Sequence, residues 1–575
     1  MLQFVLLFFN LLLMRKICLA LILSMPILAI AQETPSEEGM GLFEGATNSA
    51  KMLSAKHEYN VNNMRGALVL YRAIIESEPE NAGAHYWTAR CHYRLKRYDL
   101  AEEYLDKAVG LDPSVQGDVA FFYGEIHHRL AKTGEAISFF CDYLLDQTGV
   151  VATSPNSLDD HSIREFLRKI DKRHWNSYEK YMARKHIRQC MFARESMASP
   201  AKVQIENMGR ALNSRFDDYT PSVSADGSLI IFTSRRSDTK GGEIDEGGDY
   251  KFFEDVYFSE WNEEKGEWSA SRGVYGEVNT TAYDAVLSIA PAGDRMFIYK
   301  NNRESAGDIF NSTLDIHADE WRAPVKLPKP VNTSYYEGSA SITADGEKLY
   351  FISERPEGLG QGDIYVSIKK GEGWSSPKSL GESINTDFDE KFVFIHPNGK
   401  TLYFSSNGHQ TMGSYDIFKS EYVNGEWGLP VNLGYPINTV NEESTFSMTR
   451  DNNTMFLAAE YDDTFGERDI YRIDVSDYNL ISEGYERSTF GTVVCTVSEA
   501  EGKRIKGVAV EVWDANMDKV LTTTKTDKLG MARISLPGNK AYNLVFKSKK
   551  AERHEAVDLK LKRSGETLIN LDVHL

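Results

Sequence analysis

The 575-residue chain sets 65 Lys and Arg against 84 Asp and Glu, a formal charge of −19. That balance argues against nucleic acid and acidic membrane surfaces as partners, since both repel a net anion. The length predicts several domains, and the five cysteines contain no C-x-x-C pair that would point to zinc or a redox couple.

The first 31 residues hold only two charges, Arg15 and Lys16. The apolar run Ile17–Ile30 follows, and Ala29-Ile30-Ala31 precedes Gln32. That is the order of a secretory signal: charged region, apolar core, small-x-small cleavage site. Met14 is the expected start, because Leu2–Leu13 precedes the charges; an uncleaved anchor using both apolar runs is the alternative. Cys18 lies within the apolar core with no small residue before it, which argues against lipidation. No later stretch is long and apolar enough to span a bilayer. An exported, soluble chain of charge −21 is expected once Arg15 and Lys16 are removed. Residues 32–45, rich in Glu, Pro, Ser and Gly, read as a solvated linker. The remaining cysteines Cys91, Cys141, Cys190 and Cys495 are expected as buried thiols, with a Cys91–Cys141 bridge as the alternative.

Helical periodicity begins near Ala46. Ala67, Tyr71 and Pro79 return 34 residues later as Ala101, Leu105 and Pro113, and Ala136 and Phe140 continue the series 35 residues on. Ala89, Tyr98, Ala101, Leu105, Ala108 and Pro113 match the tetratricopeptide pattern, whose period is the same. Alanines let two helices approach closely, aromatics fill the gap to the next hairpin, and Pro ends the second helix. His85 and Thr88 depart from the pattern, which has Trp and Leu there. An all-α solenoid of three repeats is expected over 46–157. Residues 158–200 stay helical and carry Arg164, Arg168, Lys169, Lys172, Arg173, His174, Trp175, Tyr178 and Tyr181. They read as capping helices over the last repeat; a basic, aromatic partner surface is the alternative.

From 213 to 471 one pattern returns five times. Four copies carry a Trp and, eleven residues on, an Asn: Trp268/Asn279, Trp321/Asn332, Trp374/Asn385 and Trp427/Asn438, each 53 residues apart. Turns such as Asp345-Gly346 and Asn398-Gly399, or Asp226-Gly227 after Asn213, lead into apolar runs such as Leu349-Tyr350-Phe351. Each copy closes on Asp-Ile/Val-aromatic, at Asp255, Asp308, Asp363, Asp416 and Asp469. Short aromatic and β-branched runs between Gly, Asn and Asp turns read as antiparallel hairpins. Four strands per repeat make a propeller blade, so an all-β propeller is expected over 201–478. Five blades are counted; six would require a degenerate copy. Lys202–Asn213 has the register of Arg322–Asn332 but no copy before it, and is expected to complete the last blade after Tyr471.

Turn to closing Asp takes 18 residues in three copies but 29 in the first. The surplus lies in Ser237–Phe253, where Asp245, Glu246 and Asp249 stand among glycines. A mobile acidic loop is expected; a calcium site at those three carboxylates is the weak alternative, because the spacing is not that of an EF-hand. After a linker at 479–488, residues 489–575 alternate strands and turns (Gly491-Thr492-Val493, Val510-Glu511-Val512, Thr526-Asp527, Gly530, Leu536-Pro537), which predicts a small β-sandwich.

Five residues beyond each Asn lies an acid: Asp218, Asp284, Glu337, Glu390 and Glu443. Rotation of equivalent positions would set them in a circle near one mouth of the channel. Two roles follow. Each carboxylate accepts backbone N–H bonds or pairs with an Arg such as Arg236, Arg303 or Arg355, or the ring captures a cation or basic peptide. Catalytic motifs are missing: there is no G-x-S-x-G elbow, no H-E-x-x-H, no P-loop and no dinucleotide fingerprint, and Gly358–Gly362 lacks the required spacing. His127 and His128 are adjacent on a helix and cannot share a face. No cofactor and no enzyme activity are expected.

The propeller pattern, with D-G-x-x-L/M-Y/F-F-x-S followed by D-I-Y/F, resembles the TolB-type (WD-like) repeats of exported bacterial proteins. Gly507-Val508, Thr526-Asp527, Gly530 and Tyr542 make the last domain similar to the carboxypeptidase regulatory-like fold. The whole order resembles the PorE-like family of periplasmic Bacteroidota proteins in type IX secretion. A peptidoglycan-binding OmpA-like domain usually follows in that family, whereas this sequence stops at Leu575, so wall anchoring is not carried over. The resemblance implies a non-catalytic periplasmic scaffold at the outer membrane, in or near type IX secretion or gliding machinery. Its partners would be envelope or secretion-complex proteins, met through the tetratricopeptide groove and the propeller face. A propeller that binds a glycan, peptide or cation is the alternative.

Overall fold

The computed structural model describes residues 46–148, 159–170, 177–224, 227–245, 248–262, 264–291, 293–302, 305–315, 320–449, 453–478, 490–499, 502–515, 520–526, 529–537, 540–549, 551–560 and 568–575. The expected signal at 1–31, the linkers at 32–45 and 479–488, Glu246 and Arg303 lie outside them. The chain forms two compact units, the first ending at Val115 and the second beginning at Gln116. That division falls between the second and third of the expected repeats.

The first unit is built from α1 (Asn48–Asn60), α2 (Met64–Ser77), α3 (Ala82–Arg94) and α4 (Tyr98–Leu111). Thr47, Asn63 and Asn81 cap the first three by accepting N–H bonds from Ala50, Gly66 and Ala84. Left-handed residues Asn62 and Lys96, at φ 66° and 59°, turn α1 into α2 and α3 into α4. The small-residue spacing explains the packing. Ala55, Ala67, Tyr71, Ile74, Ala84 and Cys91 share one buried core.

In the second unit, α5 (Val119–Arg129) and α6 (Thr133–Thr148) form the third hairpin, turned by Ala131 at φ 56°, the position equivalent to Asn62 and Lys96. Gly124 permits the close approach: a Cβ there would stand 2.7 Å from the Phe140 ring. Helices α7 (Asp160–Lys169) and α8 (Tyr178–Ala198) join this hairpin in one core with Phe140, Ile163, Phe166, Ile187 and Cys190. All four described cysteines are buried free thiols.

Five antiparallel sheets follow, each coinciding with one copy of the sequence repeat. In the first, Asp218–Val223, Leu229–Ser234 and Asp255–Asn262 run in order, and two short strands, Glu267–Trp268 and Arg272–Gly273, both pair with the third. The next three sheets repeat that plan. The fifth takes Thr445–Met448, Thr454–Ala459 and Asp469–Asp474 from its own repeat and its outer strand, Gln204–Asn207, from the start of the unit, in antiparallel register with Tyr471–Asp474.

The innermost strands neighbour one another in a closed cycle. Ser222 accepts the Ile289 N–H at 2.8 Å, Ser288 donates to the Ala340 carbonyl at 2.6 Å, and Ser339 accepts the Val393 N–H at 3.1 Å. Phe392 and Phe446 meet edge to face at 5.5 Å, and Ser447 accepts the Val223 N–H at 3.1 Å, which returns to the first sheet. A three-stranded sheet (Met531–Pro537, Phe490–Ser498, Leu568–His574) and a four-stranded one (Val520–Lys525, Ala509–Asp514, Lys540–Lys547, Glu552–Leu559) end the chain. Val493, Cys495, Val510, Val512, Leu544 and Phe546 from both sheets share one core.

Candidate functional site

The repeated Asn is a strand substitute. Asn385 accepts the Ile364 N–H at 2.8 Å and donates to the Ile364 carbonyl at 3.1 Å. Asn213, Asn279, Asn332 and Asn438 make the same two-point contact with Ile470, Val256, Ile309 and Ile417. Each repeat thereby grips the third strand of the sheet before it, and Asn213 grips the fifth sheet. The residue after each Asn is Ser or Thr, and it holds the repeated acid.

Glu390 accepts the Thr386 N–H at 3.0 Å, the Thr386 hydroxyl at 2.9 Å and the Ser406 hydroxyl at 2.7 Å. Asp218, Asp284, Glu337 and Glu443 accept the same N–H and hydroxyl pair from Ser214, Thr280, Thr333 and Thr439. Arg236 adds to Asp218 at 3.0 Å, Lys300 to Asp284, and Arg355 to Glu337 at 3.5 Å. All five carboxyl side chains belong to residues 0% exposed. Burial pushes Glu390 up to about 7 and Glu443 up to about 8. The expected binding role therefore finds no exposed carboxylate in this ring, whose oxygens instead tie each turn to the strand it enters.

The exposed rim lies one residue earlier, at Asp217, Tyr283, Tyr336, Asp389 and Glu442, because neighbouring strand residues face opposite ways. Arg468 binds Asp217 through two bonds of 2.7 Å. Lys391 meets Glu442 at 2.7 Å, and Tyr415 donates to Asp389 at 2.5 Å. Tyr219 donates to Glu254. Tyr299 and Tyr336 lie 5.8 Å apart, and the acids Glu254 and Glu354 join burial in raising the pKa of both phenols.

The long acidic loop of the first repeat folds back over this rim. Its ends pair at Ile244 and Phe252. Arg235 binds Asp249 at 2.5 and 2.8 Å and the Phe252 carbonyl at 2.6 Å. Tyr283 of the second sheet donates to Asp245, and Lys251 reaches Glu467 before the last strand of the fifth repeat. Three sheets hold one loop. Asp245 and Asp249, two of the three weak metal candidates, are thus engaged by a phenol and a guanidinium. Among the described residues, no group of three or more side chains is placed to hold a metal ion.

A second cluster belongs to the first unit. Lys56 of α1 lies 5.3 Å over the Trp87 ring of α3, and Tyr59 meets that ring edge-on at 5.2 Å. Arg94 lies 5.8 Å over Tyr59, and Arg90 stacks on Tyr86 at 5.4 Å while donating to its hydroxyl at 2.9 Å. Leu53, 72% exposed, extends the same helix by one turn. Such a surface offers cations already seated on π-faces, suited to an acidic segment with apolar side chains.

Residues 53–115 match the tetratricopeptide repeat family model. The cation–aromatic cluster thus sits on tetratricopeptide helices. A search of the curated proteins returns no match. Among solved structures, the chain is similar to TolB from Acinetobacter baumannii at 14% identity and a TM-score of 0.29, covering 46% of this chain and 56% of that one. It is also similar to the α-L-arabinofuranosidase PaAbf62A of Podospora anserina, at 13% identity and TM-score 0.29 over 47% of this chain and 92% of that one. A TolB-type protein of Agrobacterium tumefaciens shows 12% identity and TM-score 0.29 over 58% and 97%. Among the described residues, no helix is long and apolar enough to cross a membrane.

Sequence reading located the five acids and missed the rim, although the rim has a register of its own. Its residues are four beyond each Asn, or directly before each closing Asp, as at Glu254, Tyr415 and Arg468. The cation–aromatic pairs of the tetratricopeptide unit carry no sequence signal beyond their 31-residue offset, as from Lys56 to Trp87.

Proposed function

We propose that this chain is a non-catalytic scaffold of the periplasm, associated with the outer membrane and working in or beside type IX secretion or gliding machinery. In this reading residues 1–31 are a cleaved export signal. The five sheets are five propeller blades over 201–478, and 489–575 is a carboxypeptidase regulatory-like sandwich. Helices 46–157 are tetratricopeptide repeats capped by 158–200. The carrying observation is the Lys56–Trp87–Tyr59–Arg94 surface on tetratricopeptide helices, which fits a protein partner. Envelope or secretion-complex proteins are the proposed partners, and the resemblance to periplasmic proteins of this domain order supports the location.

The test is a crosslinked pull-down of the tagged chain from its native envelope, run beside Lys56→Glu/Arg94→Glu. Recovery of secretion-ring or outer-membrane proteins with the parent and their loss with the variant is the expected result. Recovery of one unchanged set from both would remove the first unit from the scaffold role.

A second reading has its own support in the rim, where Tyr299 and Tyr336 stand beside Glu254, Glu354 and Asp389. In it the propeller binds a glycan, peptide or cation. Binding lost on Tyr336→Ala, with partner assembly kept, would favour this reading over the first.

A further inference from the structure

Two histidines that no part of the scaffold reading uses stand where the helical layer of the second unit meets the loops of the fourth and fifth repeats. His128, buried at the end of α5, places Nε2 2.8 Å from the Met412 carbonyl and Nδ1 3.3 Å from Nδ1 of half-buried His186 on α8. One tautomer set satisfies both contacts. His128 donates from Nε2 to the carbonyl, and its Nδ1 accepts from the His186 Nδ1–H. Both rings are then neutral. The His186 ring is stacked on Phe140 at 5.0 Å, so it is also held from the α6 side.

The rest of the contact is made of hydrogen bonds to backbone and a small apolar patch. Gln189 donates to the Thr411 hydroxyl at 2.6 Å and the Gly413 carbonyl at 2.5 Å, and Arg129 donates to the Val440 carbonyl at 2.6 Å. Ser196 accepts the Tyr435 N–H at 2.9 Å. Ala193, Met412 and Val440 pack together with Phe192 and Tyr435 beside them.

We propose that the His128–His186 pair makes this seat acid-labile, so that acidification releases helices α5–α8 from the loops of the fourth and fifth repeats. A proton added to the pair breaks the Nδ1–Nδ1 bond, because two ring N–H groups then face each other. It also creates a cation beside two others. The charged groups acting on the pair are Arg129 of α5 and Lys185 of α8, both cations, and burial lowers both histidines well below the usual imidazole range. From α6 the ring of Phe140 faces His186 and brings no charge.

From the strand side the nearby titrating group is Asp416, which accepts the Met412 N–H at 2.7 Å and the Gly413 N–H at 3.4 Å and is pushed up to about 7 by burial. Below that pH it is neutral and does not compensate the new charge. The Cys190 thiol, pushed up by burial, stays neutral throughout.

The sign follows from linkage. Released histidines titrate near 6.5 and seated ones lower, so the seat is complete above about 6.5 and weakens as pH falls. Two histidines would weaken it about a hundredfold per pH unit; if Asp416 also regains a normal carboxylate pKa on release, its one opposing proton leaves about tenfold.

The test places a donor dye on Glu195→Cys of α8 and an acceptor on Leu429→Cys of the fourth repeat in the full chain, and follows energy transfer from pH 8 to pH 4.5. Expected is a constant signal above pH 7 and a loss below about 6.5 with a slope of one to two protons. His128→Gln/His186→Phe, which keeps a donor for Met412 and the stack on Phe140, should hold the signal to pH 5. A flat parent profile, or parent and variant falling together, would overturn the proposal. If the double variant does not fold, His186→Phe alone must lower the slope by one proton, and an unchanged slope would overturn it equally.

Discussion

Asn385 does with one side chain what a neighbouring strand does with a backbone. Without its amide, the N–H and the carbonyl of buried Ile364 are both left unpaired, at about 1–3 kcal/mol each. Asn385→Ala should therefore lower stability by about 2–4 kcal/mol, read as a shift in urea midpoint with an unchanged slope. Glu390 carries a pH signature. Its ordinary value is 4.5 and its folded value about 7, so the folded state holds the proton more tightly. The stability it contributes is present below about 4.5 and is lost as pH rises through about 7. Glu390→Gln should match the parent near pH 4.5 and exceed it at pH 8 by on the order of 1 kcal/mol. A parallel pH dependence in both proteins would contradict this.

Among the elements, the acidic loop at 237–253 is held by contacts no local pattern announces. Arg235 is the central anchor, joining Asp249 and the Phe252 carbonyl. Arg235→Ala should expose Lys240 and Lys251 to trypsin several-fold faster while leaving the urea transition of the strand cycle in place. Gly124→Ala acts on the α5–α6 hairpin instead, where the new methyl meets Phe140 at 2.7 Å, and should cost about 1–3 kcal/mol by overpacking. What the sequence made legible divides along the same line. The 53-residue period marks every sheet, since hairpin strands and their turns are local. The acids were found by register, but their facing was not, because one residue of offset reverses a strand side chain and Asp217 and Asp218 look alike in sequence. The third helical hairpin was read as a repeat from Ala136 and Phe140. Its membership in the second unit depends on bonds such as His128 to Met412, whose partners are 284 residues apart.

For the whole molecule, the two units carry titrating groups of opposite sense. His92 is buried in the first unit, where burial and the nearby cations Arg97 and Arg72 hold it down at about 4 against an ordinary 6.5. Its contribution is complete above about 6.5 and declines as pH falls through about 4, on the order of 2 kcal/mol in all. Amide exchange along α3 in the full chain, corrected for intrinsic rate, should accelerate between pH 7 and pH 4.5, and His92→Phe should remove the acceleration. The buried carboxylates of the strand cycle push the other way. The chain thus combines a tetratricopeptide unit that loosens in acid with repeat locks that tighten.

The central claim is that the tetratricopeptide unit receives a protein partner on the face of Lys56, Tyr59, Trp87 and Arg94. The most direct measurement is photo-crosslinking in the native envelope from an unnatural residue at Leu53, beside a control at exposed Leu111. The account predicts a discrete adduct from position 53 that disappears with Lys56→Glu/Arg94→Glu, and none from position 111. Equal adducts from both positions, or an adduct that survives the charge reversal, would contradict it.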